Sequence, residues 1–233
     1  MPITAPDGRS FRGNPAACID HTLLKAETTE RQIQQLCEEA VEYGFAAVCV
    51  PPCHVRFSAA TLYGTEVAVA TVAGFPLGYV ETASKQHEAA RAVNAGAREI
   101  DMVINQGWAA TGDFARVEEE IRAVVRAVPG TCVKVIIECC NFGREAKSRL
   151  VEAAVAAGAR YVKTSTGFAA SGATVEDVRL LAAVADGRVG VKAAGGIRSL
   201  EDCQAMLVAG ATRIGSSSGV AIVEQWLRTE GLS

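Results

Sequence analysis

The sequence predicts a single-domain α/β protein, a (β/α)8 barrel preceded by a short N-terminal arm. Three observations support this fold class. A helix, glycine, strand pattern occurs four times, further β-favouring runs lie between the repeats, and 233 residues suit one such barrel. We place the arm at residues 1–15, which are rich in proline, glycine and polar residues, and the barrel at residues 16–233.

Each repeat ends a helix at a glycine and then begins a strand. The spacings between these glycines are 52, 62 and 52 residues, and the glycines are Gly44, Gly96, Gly158 and Gly210. One βα unit needs only about 25 to 30 residues, so each period should contain two units. Helices between strands imply right-handed crossovers and a parallel sheet. A doubly wound open sheet is the alternative, because a count of strands does not prove that the sheet closes.

The individual elements follow from local patterns along the chain. The predicted strands are ACID ending at residue 20, FAAVCV (45–50), VAVATVAG (67–74), EIDMVI (99–104), CVKVIIE (132–138), YVKTS (161–165), RVGVK (188–192) and ATRIGSS (211–217). The predicted helices lie near 28–43, 80–95, 113–128, 143–157, 174–185, 199–209 and 217–228. For the first of these helices, Thr28 is the expected cap and Gly44 the expected stop.

The composition argues against several classes of protein. Hydrophobic residues make up 49% and charged residues 21%, as in soluble globular proteins. A net charge of −3 argues against nucleic-acid or anionic-membrane binding, which needs a concentrated basic patch. The N-terminus lacks the apolar core of a signal peptide, and no stretch approaches a membrane span. We therefore expect a soluble, cytoplasmic protein whose eight cysteines are reduced.

Two of the six lysines end neighbouring predicted strands, Lys163 in YVKTSTGF and Lys192 in RVGVKAAGG. A lysine on an inward strand face must be paired, hydrated or neutral, because an isolated buried charge is costly. Two close ammonium groups disfavour double protonation, so one pKa should fall and leave a nucleophilic amine that can form a Schiff base. Alternatively, Lys163 forms a structural ion pair with Asp101 or Glu138.

Two aspartates are candidates for moving the proton. The residues five positions after the repeated glycines should share one layer of the barrel near its C-terminal rim, and they are Cys49, Asp101, Lys163 and Gly215. We therefore assign Asp101 to a proton relay, with Asp20 as a second carboxylate. Capping of the following helix explains Asp20 equally well. Lys134 is interpreted as a bridge to Glu138 or Glu99, outside the reaction.

Two successive glycine-rich turns predict an anion site. They are AAGGIRS (193–199) and RIGSSSG (213–219), which follow the last two strands and precede helices with free N–H groups. The expected phosphate-binding residues are Gly195, Gly196, Ser217 and Ser218, with Gly167 allowing another close backbone approach. Neither a nucleotide fingerprint nor an acidic metal cluster occurs, and Cys49, Cys53 and His54 match no zinc spacing. We expect a reaction without cofactor or metal.

Seven stretches, spread over most of the chain, match one known family. They are IDHTLL (19–24), VAGFPLG (72–78), EIDMVIN (99–105), VKVIIE (133–138), YVKTSTGF (161–168), VKAAGGIR (191–198) and GATRIGSSSG (210–219). In these stretches the sequence resembles the class I deoxyribose-phosphate aldolases. The resemblance implies a TIM barrel that reversibly cleaves 2-deoxy-D-ribose 5-phosphate to D-glyceraldehyde 3-phosphate and acetaldehyde. It also implies Lys163 as the Schiff-base lysine, Lys192 as the group that lowers its pKa, and Asp101 with Asp20 as the proton relay.

Other functions are compatible with the same residues. One is a different Schiff-base aldolase or a transaldolase that acts on another sugar phosphate. Another is an inactive barrel that binds phosphosugars as a scaffold.

The expected partners are a phosphorylated sugar and an aldehyde, and the alanine-rich helices permit a homodimer. ECCNFGREAK (138–147) departs from the family pattern outside the four catalytic positions, so we expect it to bear on rim contacts, stability or subunit packing rather than on the reaction type.

Overall fold

A computed structural model describes residues 13–231 and shows eight parallel strands in a closed barrel. The strands are β1 (Ile19–Thr22), β2 (Ala47–Val50), β3 (Ala68–Ala73), β4 (Glu99–Val103), β5 (Cys132–Ile136), β6 (Tyr161–Lys163), β7 (Gly190–Ala194) and β8 (Arg213–Ser216). Each strand pairs with the next, and β8 pairs with β1, where Ile214 lies opposite Ile19. This closure confirms the predicted (β/α)8 barrel and excludes the doubly wound open sheet.

The strands alternate with helices that cover the outside of the barrel. They are α1 (Glu30–Tyr43), α2 (Val55–Thr61), α3 (Thr82–Asn94), α4 (Gln106–Ala110), α5 (Phe114–Ala127), α6 (Arg144–Ala156), α7 (Val175–Ala185), α8 (Leu200–Ala209) and α9 (Gly219–Glu230). Sequence reasoning located all of these except α2 and α4. Those two helices have 7 and 5 residues, too few for a repeating apolar period to be visible. No helix within residues 13–231 has the length and apolar character needed to cross a membrane.

The positions at which glycines end the helices are predicted correctly, whereas the predicted N-cap of α1 lies one residue too early. Gly44 adopts the left-handed conformation, with φ of 71°, and the other three repeated glycines also have positive φ. α1 is capped by Thr29, whose side chain accepts from the backbone N–H of Gln32 in a capping box. The hydroxyl of Thr28, the predicted cap, donates to the carbonyl of Lys25 instead.

The N-terminal segment differs slightly from the prediction. Residues 1–12 of the predicted arm lie outside the described residues, and a short 3-10 helix (Pro15–Cys18) precedes β1. The sequence predicts that the first strand ends at Asp20, whereas Asp20 is the second residue of β1, which continues to Thr22. The carboxylate of Asp20 therefore lies within the barrel rather than at its rim.

Side-chain alternation divides the protein interior into two parts. The main apolar core lies between strands and helices and includes Val189 and Val191, while Lys192 faces the barrel interior. A small second cluster inside the barrel contains Ala47, Cys49, Ala70 and Val72. All eight cysteines are free thiols in this structure.

A buried ion pair connects α3, α5 and the end of β4. The Nζ atom of Lys85 donates to the Val103 carbonyl and to Glu120 Oε1, both at 2.8 Å. The other carboxylate oxygen of Glu120 accepts from the backbone N–H of Asn105 at 2.9 Å. Burial lowers the pKa of Lys85 and raises that of Glu120, so desolvation outweighs their mutual attraction.

We expect Lys85→Met to lower the free energy of unfolding by about 3–5 kcal/mol, because Glu120 remains buried without its cation. Urea denaturation measures this change. Arg122→Met is the matched control, since it removes a half-exposed pair with Glu118 and should cost less than about 1 kcal/mol. Equal losses in the two variants would contradict a special role for the buried pair.

Candidate active site

Charged side chains from six strands form one connected network inside the barrel. Its carboxylates belong to Asp20, Glu99 and Asp101, and its cations to Lys134, Lys163, Lys192 and Arg213. The alternation of β-strand side chains turns these residues inward, and the closed sheet brings β1 beside β8. The network therefore contains four cations and three carboxylates.

Asp101 joins all three lysines of the network. Its Oδ2 atom accepts from Lys163 at 2.8 Å and from Lys192 at 2.7 Å, while its Oδ1 atom accepts from Lys134 at 2.8 Å. Burial opposes ionisation of Asp101, but the three ammonium groups outweigh it and hold the pKa of this carboxyl well below its usual range. The predicted meeting of Asp101 with Lys163 is confirmed.

Asp20 belongs to the same network and does not cap a helix. Lys192 donates to its Oδ2 atom, Arg213 donates to its Oδ1 atom at 2.7 Å, and Lys134 lies 3.3 Å from Oδ2. These cations lower its pKa despite complete burial. The capping interpretation of Asp20 is wrong, because Thr29 performs that function for α1.

Lys134 and Arg213 are members of the network that sequence reasoning missed. The predicted bridge from Lys134 to Glu99 exists, at 2.5 Å, but Lys134 makes no ion pair with Glu138. Register could have located Lys134, since it lies opposite Asp101 in the β4–β5 pairing. Arg213 could have been found because it is two residues before Gly215 and so faces the same side of β8.

Lys163 is the network amine that reaches open space. It is 3% exposed and lines a cavity, whereas Lys134 and Lys192 are fully buried. Burial lowers the pKa of Lys163 and the charge of Lys192 lowers it further, with Asp101 acting in the opposite direction. For Lys192, burial is outweighed by Asp101 and Asp20, so its pKa is raised. With four cations facing three carboxylates, Lys163 is the amine that most readily becomes neutral.

Glu138 supports the loop after β6 instead of pairing with a lysine. Its Oε1 atom accepts from the backbone N–H of Thr166 at 3.1 Å, and its Oε2 atom accepts from the Thr166 hydroxyl at 2.5 Å. The same hydroxyl accepts from the backbone N–H of Phe168 at 3.1 Å. The loop that follows Lys163 is therefore held by a buried carboxylate, and the alternative pairing of Lys163 with Glu138 is wrong.

The cavity above Lys163 has a volume of about 400 Å³. Four of the five predicted phosphate-binding residues line it, namely Gly167, Gly195, Gly196 and Ser217. Ser218 does not line the cavity; its backbone N–H donates to the hydroxyl of Ser216 at 2.9 Å. Two exposed cations, Lys25 and Arg198, also line this cavity and were not predicted.

The two helices beside this cavity differ in the availability of their first N–H groups. At α8, the backbone N–H groups of Arg198 and Ser199 donate to Asp202, and that of Leu200 donates to Gln225. The prediction of free N–H groups at this helix is therefore wrong. α9 has no side-chain cap, so its N-terminus is the helix end suited to an anion.

The glycines of the cavity adopt conformations that other residues disfavour. Gly167, Gly195 and Gly196 have φ values of 86°, 87° and 82°. Gly195 also packs against Gly172, where an added Cβ atom would lie 2.2 Å from the Gly195 carbonyl oxygen. The backbone can therefore come close to a ligand at the edge of the cavity.

Known proteins match this chain over most of its length. The family model described as DeoC/LacD family aldolase matches residues 16–225. Deoxyribose-phosphate aldolase from Syntrophotalea carbinolica is 54% identical over 213 residues, which cover 91% of this chain and 96% of that protein. The enzyme of the same name from Deinococcus radiodurans is 54% identical over 208 residues, which cover 89% of this chain and 94% of that protein.

Solved structures of aldolases also match this chain over most of its length. The tetrameric deoxyribose phosphate aldolase from Aeropyrum pernix matches with a TM-score of 0.85 and 35% identity, and the match covers 91% of this chain and 90% of that one. A structure described as QR15, an aldolase, matches with a TM-score of 0.89 and 40% identity, over 93% of this chain and 97% of that one.

Proposed function

This chain belongs to the DeoC/LacD family of aldolases, and we propose that it works through a Schiff base on Lys163. The enzyme is an aldehyde-lyase that reversibly cleaves 2-deoxy-D-ribose 5-phosphate to D-glyceraldehyde 3-phosphate and acetaldehyde. One observation carries the assignment of the nucleophile. Lys163 combines a lowered pKa with a place on the cavity wall.

Catalysis begins at the aldehyde carbon of the open-chain sugar. The neutral amine of Lys163 attacks C1, and the resulting carbinolamine loses water to form an iminium ion. Lys192 remains protonated beside it, held by Asp101 and Asp20, and keeps Lys163 in its neutral form between turnovers. The iminium ion carries a positive charge that the neutral amine lacked, and the carboxylate of Asp101, at 2.8 Å from Lys163 Nζ, stabilises this charge.

The iminium ion accepts the electron pair of the breaking carbon–carbon bond. The C3 hydroxyl loses its proton, the C2–C3 bond breaks, and D-glyceraldehyde 3-phosphate leaves an enamine on Lys163. Protonation of this enamine and addition of water then release acetaldehyde and the free amine. Asp101, with Asp20 linked through Lys192, is the proposed relay for these proton transfers. Its strongly lowered pKa suits it to passing a proton onward rather than holding it.

The phosphate of the substrate would bind at the edge of the same cavity. The proposed contacts are the backbone of Gly167, Gly195 and Gly196, the residues at the start of α9 and the side chain of Arg198. An uncapped helix N-terminus and a guanidinium both stabilise a dianion. Ser217 lines the cavity and is a proposed contact of the phosphate. Ser218 does not line the cavity, and it is proposed only because it directly precedes the first turn of α9.

We expect Arg198→Ser to raise KM for 2-deoxy-D-ribose 5-phosphate about tenfold with little change in kcat, because the lost contact is made equally in ground and transition states. Steady-state kinetics with unphosphorylated 2-deoxy-D-ribose provides the control, since its kcat/KM should not change. Equal losses with both sugars would show that Arg198 acts on the reaction or the fold rather than on phosphate.

The proposal is tested by combining turnover with covalent trapping. Release of D-glyceraldehyde 3-phosphate is followed in a coupled assay, and borohydride is added with acetaldehyde to reduce the Schiff base. Peptide mass analysis should place the adduct on Lys163. An adduct on another lysine would overturn the assignment, and turnover only with a different sugar phosphate would favour another Schiff-base aldolase or a transaldolase.

We further infer that the enzyme acts in the cytoplasm as a homodimer. The chain has the acidic composition of a soluble protein, and Tyr63, Leu77 and Tyr79 are exposed apolar side chains available for subunit contacts. Sedimentation velocity measures the subunit number. A monomer, or a tetramer like that described for the Aeropyrum pernix relative, would contradict the dimer.

A further inference from the structure

A second cavity lies at the opposite end of the barrel from Lys163. It has a volume of about 450 Å³ and is bounded by the first residues of β5, β6, β7 and β8. Three arginines line it, namely Arg160, Arg188 and Arg213. Arg213 also belongs to the charged network, but Arg160 and Arg188 do not, and none of the proposed substrate contacts lies at this end of the barrel. The cluster of cations therefore calls for another explanation.

The three guanidinium groups differ in how many donors they have left. Arg188 is held by Glu152 through two contacts of 2.8 Å and by two backbone carbonyls. Arg213 uses two of its N–H donors, for Asp20 and Glu99, and about three of the five donors of a guanidinium remain. The side chain of Arg160 makes no hydrogen bond within residues 13–231, and it is exposed.

The cavity wall around these arginines suits an anion. No described residue lining it is acidic, and the remaining members include Tyr161 and the glycines Gly130, Gly187 and Gly190. An added Cβ atom at Gly190 would lie 2.4 Å from the Tyr161 ring, so this position needs glycine. Arg213 lies over the same ring at 5.6 Å and is fixed from within the barrel by Asp20. The wall is thus held in place before any ligand arrives.

We propose that this cavity is a second anion site, which binds a phosphate dianion or a small phosphomonoester between Arg160 and Arg213. Arg213 supplies fixed donors, because its carboxylate partners hold it in position, and Arg160 supplies free donors that close on the ligand. Planar guanidinium groups bind phosphate oxygens through paired hydrogen bonds, which favours this ligand class over halide ions.

The two anion sites can be observed separately in the full-length enzyme by amide NMR. Gly130, Gly187 and Gly190 report on the second cavity, whereas Gly195 and Gly196 report on the substrate cavity. Inorganic phosphate and glycerol phosphate are titrated in separate experiments at constant ionic strength, so that screening does not change. Saturable shifts of the first three glycines are expected, and the lower half-saturation concentration identifies the free or the esterified phosphate as the preferred ligand.

Arg160→Ser should raise that half-saturation concentration about tenfold and leave aldolase turnover unchanged. Arg160→Gln removes the charge but keeps a polar side chain, so it should raise the half-saturation concentration as Arg160→Ser does. Arg31→Ser is the control, because it removes an exposed arginine from α1, away from the cavity. Absence of saturable shifts at the three glycines, or an unchanged half-saturation concentration in both Arg160 variants, would overturn the proposal. A failure of Gly195 and Gly196 to respond would instead count against the substrate phosphate site.

Discussion

Lys163→Met is expected to reduce kcat/KM for cleavage of 2-deoxy-D-ribose 5-phosphate by at least about 10,000-fold, since no covalent intermediate can form without the amine. The network around it should survive. Removing one of four cations leaves three cations facing the three carboxylates of Asp20, Glu99 and Asp101. The free energy of unfolding should therefore be unchanged or slightly higher, as urea denaturation can measure.

Two controls separate loss of the nucleophile from loss of the site. Lys163→Arg keeps a positive charge beside Asp101 but cannot become neutral, so it should be as inactive as the methionine variant. In Lys163→Met, amide shifts of Gly195 and Gly196 should still saturate with phosphate. Borohydride should give no adduct with either variant. Turnover above a thousandth of the wild-type value would show that another amine is the nucleophile.

Lys192→Met is expected to lower turnover at pH 7 by about 10- to 100-fold through the pKa of Lys163. The wild-type rate should rise with pH as the amine loses its proton, at a pH below the usual lysine range, because burial and Lys192 lower this pKa. Without Lys192, three cations face three carboxylates and Lys163 stays protonated. The acid limb of kcat/KM should therefore move to higher pH and the rate should recover in alkaline buffer.

Asp101→Asn should shift the pKa of Lys163 in the opposite direction from Lys192→Met. It removes the carboxylate 2.8 Å from Lys163, which raises the pKa of that amine in the wild type. The acid limb should move to lower pH, while the maximal rate falls because the proton relay is lost. An unchanged pH profile in Lys192→Met, or shifts of the same direction in the two variants, would contradict electrostatic coupling within the network.

Much of the barrel could be predicted from local patterns. The stops at Gly44, Gly96, Gly158 and Gly210 all have positive φ, and the strands that follow them are β2, β4, β6 and β8. Where the pattern is short, prediction failed, as it did for α2 and α4. The cap of α1 was misplaced by one residue because two threonines are adjacent, and only the side-chain geometry distinguishes Thr29 from Thr28.

The sequence predicted many residues of the candidate site but few of the contacts between them. The repeat correctly brought Asp101 to Lys163, since residues at equal distance from a glycine stop lie at equal height in the barrel. It could not show that Lys134 and Arg213 both pair with Asp20 and Glu99. It also could not show that the N-terminus of α8 is filled by Asp202 while that of α9 is open. These facts depend on side chains that are distant in the chain.

The sequence by itself determined the order of strands and helices, the family and the identity of the lysine pair, because periodicity, glycine stops and motifs are properties of neighbouring residues. Only the tertiary structure decided which of the two lysines has the lowered pKa. A pKa depends on burial and on the sum of nearby charges. Here that sum comes from strands as far apart along the chain as β1 and β7, and it leaves Lys163 with one carboxylate and Lys192 with two.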